Sequence, residues 1–265
     1  MYQSDYGIEM ATYWDLLYED RTIDIPFYID LAKKSPPPIL ELGCGTGRVL
    51  IPIAKEGLDI IGCDNSPDML NVAQKKVDAL LSNTRNKIRL IVSDMSNIDF
   101  NEQYGLIFLA FNSFSYLLSI AEQKATLKKV FHHLQKGGCF AFDILNPEYG
   151  RYTDRHSENA DFLKLSGREW ENPNTGNRVV EWFSRNYDLT NQIMHEIQVW
   201  EEISDDNTSI RRYYRDRRQR YSFRYEVEHL LESAGFNLET VYGDFCCNPV
   251  TPTSTQIVYV ARKSN

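Results

Sequence analysis

Three glycines at alternate positions, Gly43, Gly45 and Gly47, follow the short apolar run of "PILELGCGTGR", with Glu41 set just before them. A glycine-rich turn behind a strand is a place where backbone can pass close to a bound ligand. The residues themselves exclude two phosphate-binding chemistries. The dinucleotide fingerprint needs a glycine where Arg48 stands, and no Gly-Lys-Ser/Thr follows to complete a nucleotide-triphosphate loop. A carboxylate beside the turn suits a positively charged group better than a pyrophosphate. Two more acids close the next apolar runs: Asp64 ends "LDIIGCD" and Asp94 ends "IRLIVSD". The end of the second strand is where α/β folds commonly set an acid against ribose hydroxyls. Taken singly, Asp64 could cap a helix starting near Ser66 and Asp94 could cap a turn. Their order at successive strand ends favours a ligand site.

The elements that must position these residues are legible as alternating runs. Strands are expected over 38–42, 58–64, 88–94, 104–111 and 138–145, each short and apolar on both faces, as buried parallel strands are. Helices are expected between them. "SPDMLNVAQKKVDALLS" has Ser66 to cap, Pro67 in the first turn, and Met69, Leu70, Ala73 and Val77 on one face; "AEQKATLKKVFHHLQKGG" should stop at Gly137 and Gly138. Strict alternation implies a doubly wound, mostly parallel α/β sheet of the Rossmann-like kind. After Pro147 the rhythm changes to period two, giving antiparallel strands from about Ala160 to Tyr221. A helix at 224–236 and strands at 237–245 and 255–262 then return to the first pattern. The expected organisation is a core of residues 1–150 and 222–265 carrying an antiparallel β insertion over 151–221, which would bind substrate or act as a lid.

Composition narrows the partners. Lys and Arg number 29 against 37 Asp and Glu, a formal net charge of −8, which opposes a broad grip on nucleic acid. Five cysteines without CxxC spacing indicate neither a disulfide framework nor a zinc site. The first residues, "MYQSDYGIEM", are no export signal, and no run approaches the ~18 apolar residues of a membrane helix. The chain reads as cytoplasmic, metal-free, and a monomer or homodimer.

Glu41-x-Gly43-x-Gly45-x-Gly47, then Asp64, then Asp94 resembles the class I S-adenosylmethionine-dependent methyltransferases, with "LELGCGTGR", "GCDNSPDML" and "SDM" matching the first three motifs. The later segments "FNSFSYL", "LQKGGCFAFDI" and "LLESAGF", and the antiparallel insertion, are similar to the small-molecule branch related to sugar N-methyltransferases. One departure is Tyr104-Gly105, where that family's fourth strand usually opens with an acid. The resemblance implies that the turn (Gly43, Cys44, Gly45, Gly47 and Arg48) passes under the methionine part of S-adenosyl-L-methionine, with Glu41 near its ammonium. Asp64, with Asn65 and Met69, would take the ribose side. Ser93, Asp94 and Met95 would take the adenine, Asp94 its amino group and Met95 an edge or face. Phe111 and Asn112 complete the set, and Tyr13 and Tyr18 would form an aromatic lid, where ring faces accommodate a sulfonium.

Methyl transfer from a sulfonium is an in-line displacement, so holding the acceptor opposite the leaving sulfur in a dry pocket supplies most of the catalysis. No catalytic residue is identified. Acceptor contacts are expected from Ser113, Tyr116, Asp143 and Asn146 at the ends of the fourth and fifth strands. His132 and His133 read as structural, His195 as a core histidine beside Ile193, Ile197 and Val199, and Cys246-Cys247 as partly buried thiols. In "RRYYRDRRQR", Arg211, Tyr213, Arg215 and Arg217 should face one way and Arg212, Tyr214, Arg218 and Arg220 the other; a solvated face paired with Glu201-Glu202 is favoured over RNA binding. The leading reading is N- or O-methylation of a small molecule. The competing ones are an RNA- or protein-directed methyltransferase and a non-catalytic module binding an adenosine ligand.

Overall fold

The computed structural model describes residues 8–18, 20–147, 162–172 and 174–264, and these fall into two compact units, 8–147 with 222–264 and 162–221. The expected start of the insertion at 151 and the onset of its strands near Ala160 lie outside the described residues, as do residues 1–7 of the N-terminal stretch.

In the first unit, helices α1 (Ile8–Tyr18) and α2 (Ile25–Lys34) precede β1 (Ile39–Leu42), α3 (Leu50–Lys55), β2 (Ile60–Asp64), α4 (Pro67–Asp78), the short α5 (Ser82–Arg85) and β3 (Ile88–Val92). The chain continues through β4 (Tyr104–Leu109), α6 (Ile120–His133) and β5 (Leu134–Leu145). α4 starts as its sequence dictates: the Ser66 hydroxyl accepts the Met69 N–H, Pro67 opens the first turn, and Met69, Leu70, Ala73 and Val77 are buried. α6 is opened by a reciprocal pair in which Ser119 and Glu122 each accept from the other's backbone N–H. It does not stop at Gly137-Gly138. The helix ends at His133, and the two glycines lie inside β5, where the pairing with β4 shifts register. Gly137 is left-handed there (φ +69°). The glycines mark a bulge, not a cap.

The chain re-enters this unit with α7 (Arg224–Ser233), β10 (Phe236–Tyr242) and β11 (Gln256–Lys263), the sixth to ninth strands belonging to the second unit. The seven strands lie in the order β10-β11-β5-β4-β1-β2-β3, and all pair in parallel except β11, which runs antiparallel to both neighbours. Strand order therefore reverses between β1 and β4. That switch point is where ligands sit in open α/β sheets, outside the carboxyl ends of the strands. β4 is buried along its whole length, as the parallel-strand reading requires. Among the described residues, no helix is long and apolar enough to cross a membrane.

The second unit is a four-stranded antiparallel sheet, β6 (Lys164–Glu171), β7 (Arg178–Asp188), β8 (Ile193–Ile203) and β9 (Ser209–Arg220), paired in chain order. Its arginine strand divides as expected, but the two sides differ. Arg212 is exposed and gives two hydrogen bonds to Glu201 (2.8 and 2.6 Å), the expected partner, but Glu201 and Glu202 are themselves buried, so the acidic side of the pairing is not a solvated face. Arg215 and Arg217 are not solvated. Arg215 is buried and donates to Gln198 Oε1 (2.8 Å), while Arg217 shares the buried carboxylate of Glu196 with Arg185. His195 is likewise not a core histidine: it is half-buried, with Nε2 at 2.7 Å from Asp216 Oδ1.

Candidate functional site

The glycine turn joins β1 to α3 at the switch point. Gly43, Gly45 and Gly47 all have φ in the left-handed region, +71°, +54° and +81°, which other residues rarely adopt. The turn is stitched to the end of β2: the N–H groups of Gly43 and Cys44 donate to Cys63 O (2.8 and 3.0 Å), and Gly45 N–H donates to Asp64 Oδ2 (2.8 Å). The other Asp64 oxygen accepts Ser66 N–H at 2.9 Å. Asp64 thus both closes the turn and supports the start of α4. Burial pushes its carboxyl up, and the backbone N–H groups of Ser66, Gly45 and Asn65 pull it back. Met69 packs under Gly45, Asn65 is exposed, and the Cys44 side chain points into the core, leaving only its backbone to the turn.

Glu41 is almost fully buried, and burial drives its carboxyl well above the usual range, with Arg48 and the Leu50 N–H opposing the shift. Its Oε2 has no hydrogen-bond partner among the described residues. A buried acceptor left open calls for a missing donor, and an ammonium group supplies one. Arg48 has a different attachment. Its guanidinium holds the fully buried Asp24 through two hydrogen bonds (2.7 and 2.6 Å) and gives a third to Arg21 O (2.7 Å). The segment between α1 and α2 is thereby tied to the turn. Asp15 of α1 makes a second tie, accepting from Thr46 Oγ1 (2.6 Å) and from Lys76 Nζ (2.8 Å).

Across the switch point, the chain leaving β4 turns through two successive non-glycine residues in the left-handed region, Phe111 (φ +58°) and Asn112 (φ +59°). Each such conformation costs on the order of 1–3 kcal/mol and clusters at functional sites. The corner is held by Asn112 N–H to Asp143 Oδ2 (3.0 Å), Leu145 N–H to Asn112 Oδ1 (3.1 Å) and the Ser113 hydroxyl to Ala110 O (2.7 Å). A Cβ on Gly43 would come within 3.1 Å of that Ser113 hydroxyl, so corner and glycine turn abut. The Phe111 ring meets Tyr18 (4.8 Å) and Trp14 (5.7 Å), with the Arg21 guanidinium 4.6 Å above its centroid. Tyr13 is buried, as a helix packing its apolar face would have it, and Tyr18 is half-buried within this aromatic cluster.

Spacing gave no hint of Trp14 or Arg21. Arg21 Nε is buried without a partner among the described residues, a cation poised beside the corner. Both lie in a segment whose periodicity announces only a helix and a loop, and only the fold brings them to Phe111.

Asp94 sits exposed after β3 and caps the short 3-10 turn Met95–Asn97, its Oδ1 accepting Ser96 N–H (2.7 Å). Ser93 and Met95 flank it, half-buried. Asp143 is not available to an acceptor. It is fully buried, with Oδ1 taking the Tyr28 hydroxyl (3.0 Å) and Oδ2 the Asn112 N–H. Asn146 is spent partly on Ser254 O (2.7 Å), and Tyr116 and Ser113 remain half-buried after β4. His133 is structural: Nε2 accepts Phe100 N–H (3.0 Å), so Nδ1 carries the proton to Lys129 O (2.7 Å). Cys246 and Cys247 are both exposed, contrary to the partial burial expected, and all five cysteines are free thiols.

Burial raises the Asp143 carboxyl to about 6, despite the bonds from Tyr28 and Asn112. A raised folded-state value means that the folded protein binds the proton more readily than the unfolded chain. This contribution therefore favours folding at low pH and is lost as pH rises through about 6. Asp143→Asn should remove it, so that the variant's stability relative to the parent improves by about 2–3 kcal/mol between pH 4 and pH 7. Denaturant unfolding at the two pH values checks this; a pH-independent difference would refute it.

Known proteins resemble this chain in sequence and in fold. A methyltransferase-domain family model matches residues 39–138, which span the turn, Asp64, Asp94 and the Phe111 corner. YqeM of Bacillus subtilis (strain 168), whose name assigns a methyltransferase role with no stated acceptor, is 27% identical over 89% of this chain and 88% of its own. The dTDP-3-amino-3,4,6-trideoxy-alpha-D-glucopyranose N,N-dimethyltransferase of Streptomyces venezuelae is 28% identical over 50% of this chain and 56% of its own. The CcbJ methyltransferase of Streptomyces caelestis shares the fold, with a TM-score of 0.71 at 23% identity over 100% of this chain and 94% of that one.

Proposed function

We propose that this chain, a class I S-adenosylmethionine-dependent methyltransferase, transfers the methyl group to a small-molecule acceptor, at nitrogen in the first instance. The observation that carries the reading is the ordered set at the switch point: the unpartnered Glu41 oxygen, three left-handed glycines, and Asp64 bonded across the turn. These residues fit the donor. Glu41 would take its ammonium, Arg21 its carboxylate and Asp64 its ribose diol, while Asp94 and Met95 would hold the adenine. Bound there, S-adenosylmethionine supplies a methyl group on a sulfonium, already an electrophile.

What the chain adds is placement. α1, tied to the turn through Asp15, and the segment after it, tied through Asp24 to Arg48, would cover the bound donor and exclude water. Ser113, Tyr116 and Asn146 at the strand ends would orient the acceptor. A neutral amine is nucleophilic without a strong base, so alignment suffices. The amino-sugar substrate in the name of the Streptomyces venezuelae relative supports this choice of atom. Screening amine and hydroxyl metabolites for S-adenosylhomocysteine release tests it; turnover of hydroxyl compounds alone would overturn the preference for nitrogen.

Asp64→Ala should weaken S-adenosylhomocysteine binding by about 1–3 kcal/mol, measured calorimetrically on folded protein, since a hydrogen-bonded carboxylate is lost. An unchanged dissociation constant would remove Asp64 from the site. The polymer-directed alternative is tested on the exposed arginines. Replacing Arg212 and Arg218 by Glu should change turnover of a small acceptor by less than about tenfold. A much larger loss, with salt-dependent RNA binding in the parent, would favour the polymer reading.

A further inference from the structure

We propose that Asp143 is a positioning residue, which holds the left-handed corner at Phe111 and Asn112 in place so that the Phe111 ring and the Ser113 hydroxyl stand against the glycine turn. The inference rests on the reading that this corner borders the S-adenosylmethionine site.

Two consecutive side-chain-bearing residues at φ +58° and +59° do not stay there unaided. The Asn112 N–H must point somewhere, and it points at a carboxylate with no exposure to solvent. That carboxylate is itself fixed. Tyr28 stacks on Phe108 at 4.7 Å, and its hydroxyl lies 3.0 Å from Asp143 Oδ1 and 3.1 Å from Leu109 O. A charge buried on β5 is costly, and an apolar side chain would fill the space more cheaply. What an apolar side chain cannot do is accept the Asn112 N–H. The strand ends of β4 and β5 are thus cross-linked through Asp143, and Phe111 is aimed from that anchorage toward Trp14, Tyr18 and Arg21.

The mechanism is geometric and makes an unusual demand on substitutions. Asp143→Asn keeps the function: the amide oxygen accepts the Asn112 N–H, while its NH2 donates to the Tyr28 oxygen and the Tyr28 proton goes to Leu109 O. Asp143→Ala loses it. Asn112→Gly makes the anchor dispensable, because glycine holds a positive φ without help.

Calorimetric titration with S-adenosylhomocysteine reads all three. Asp143→Ala should raise the dissociation constant about tenfold, and Asp143→Asn should stay within about twofold of the parent. In the Asn112→Gly background, the further cost of Asp143→Ala should shrink to less than about threefold. Parent-like affinity in Asp143→Ala, or an undiminished cost in the Asn112→Gly background, overturns the inference. Should Asp143→Ala not fold, amide hydrogen exchange decides: the Asn112 N–H should be protected equally in the parent and in Asp143→Asn, and unprotected exchange in the parent refutes the anchor. Asp64→Ala separates the underlying reading. If it binds normally, the cofactor site is misplaced and the inference falls with it; if it weakens binding while Asp143→Ala does not, the positioning role alone is wrong.

Discussion

Gly45→Val abolishes S-adenosylhomocysteine binding in calorimetry, with the helix and strand content by circular dichroism unchanged: that is the outcome expected from the backbone at the centre of the turn. Gly45 sits at φ +54°, where a β-branched residue is a steric outlier. Space is not the obstacle, since the nearest atom to an added Cβ is Met69 Cε at 3.4 Å. The obstacle is conformational. Valine would drive φ back to negative values, and the N–H that now reaches Asp64 at 2.8 Å would turn away. One substitution therefore displaces the turn and frees the Asp64 carboxylate together, which is why the loss should exceed about five hundredfold, beyond the roughly 3 kcal/mol that Asp64→Ala removes at most. Gly45→Ala should fall between the two, being strained but not β-branched. The rest of the sheet does not depend on this turn, so the fold should persist. Tight binding by the valine variant would mean that the turn is only a strand-to-helix connection.

The turn was legible in the sequence because its determinants are local. Alternating glycines, an acid at the end of the next strand and Ser66-Pro67 opening a helix are all contained within short stretches, each with its own physical reading. Arg48, Asp64 and Asp143 were legible as residues but only in part as roles. Arg48 holds Asp24, which stands 24 positions earlier, and Asp143 holds a backbone N–H 31 positions earlier. No periodicity records such pairings, so Asp143 read as an acceptor contact while the fold makes it a buried anchor. The arginine strand shows the same limit. Alternation sorts its side chains into two faces, but it cannot say which face is buried, and Arg215 and Arg217 proved to be on the covered one beside Gln198 and Glu196. Gly137-Gly138 misled for a related reason. A glycine pair after a helical pattern reads as a stop, yet α6 ends at His133 because Leu134 is already extended and opens β5. The family resemblance placed Phe111 and Asn112 beside the cofactor, but their backbone gave no signal, since left-handed conformation is expected of glycine and neither is one.

The second large effect belongs to Arg48. Asp24 has no solvent exposure, and the Arg48 guanidinium grips both of its oxygens, which is the geometry in which a planar fork outperforms any other cation. Arg48→Met keeps the unbranched stem of the side chain and removes the guanidinium and its charge. It strands a buried carboxylate, and it also withdraws the positive charge that opposes the upward shift of Glu41. Breaking a buried pair from one side typically costs about 3–5 kcal/mol, and denaturant unfolding should show a loss of that size. Removing both charges should cost less than removing one, so Asp24→Leu combined with Arg48→Met should recover much of it. The same pair of variants asks whether Arg48 also touches the cofactor, as the family resemblance implies. If it is only a clamp, the double variant should bind S-adenosylhomocysteine close to normally, because the segment carrying Arg21 is again packed without an unpaired charge. If the guanidinium contacts the ligand, affinity should stay low in the double variant although stability returns. A single Arg48→Met variant that loses less than about 1 kcal/mol would show that Asp24 finds another partner, and the clamp would then be no more than a contact.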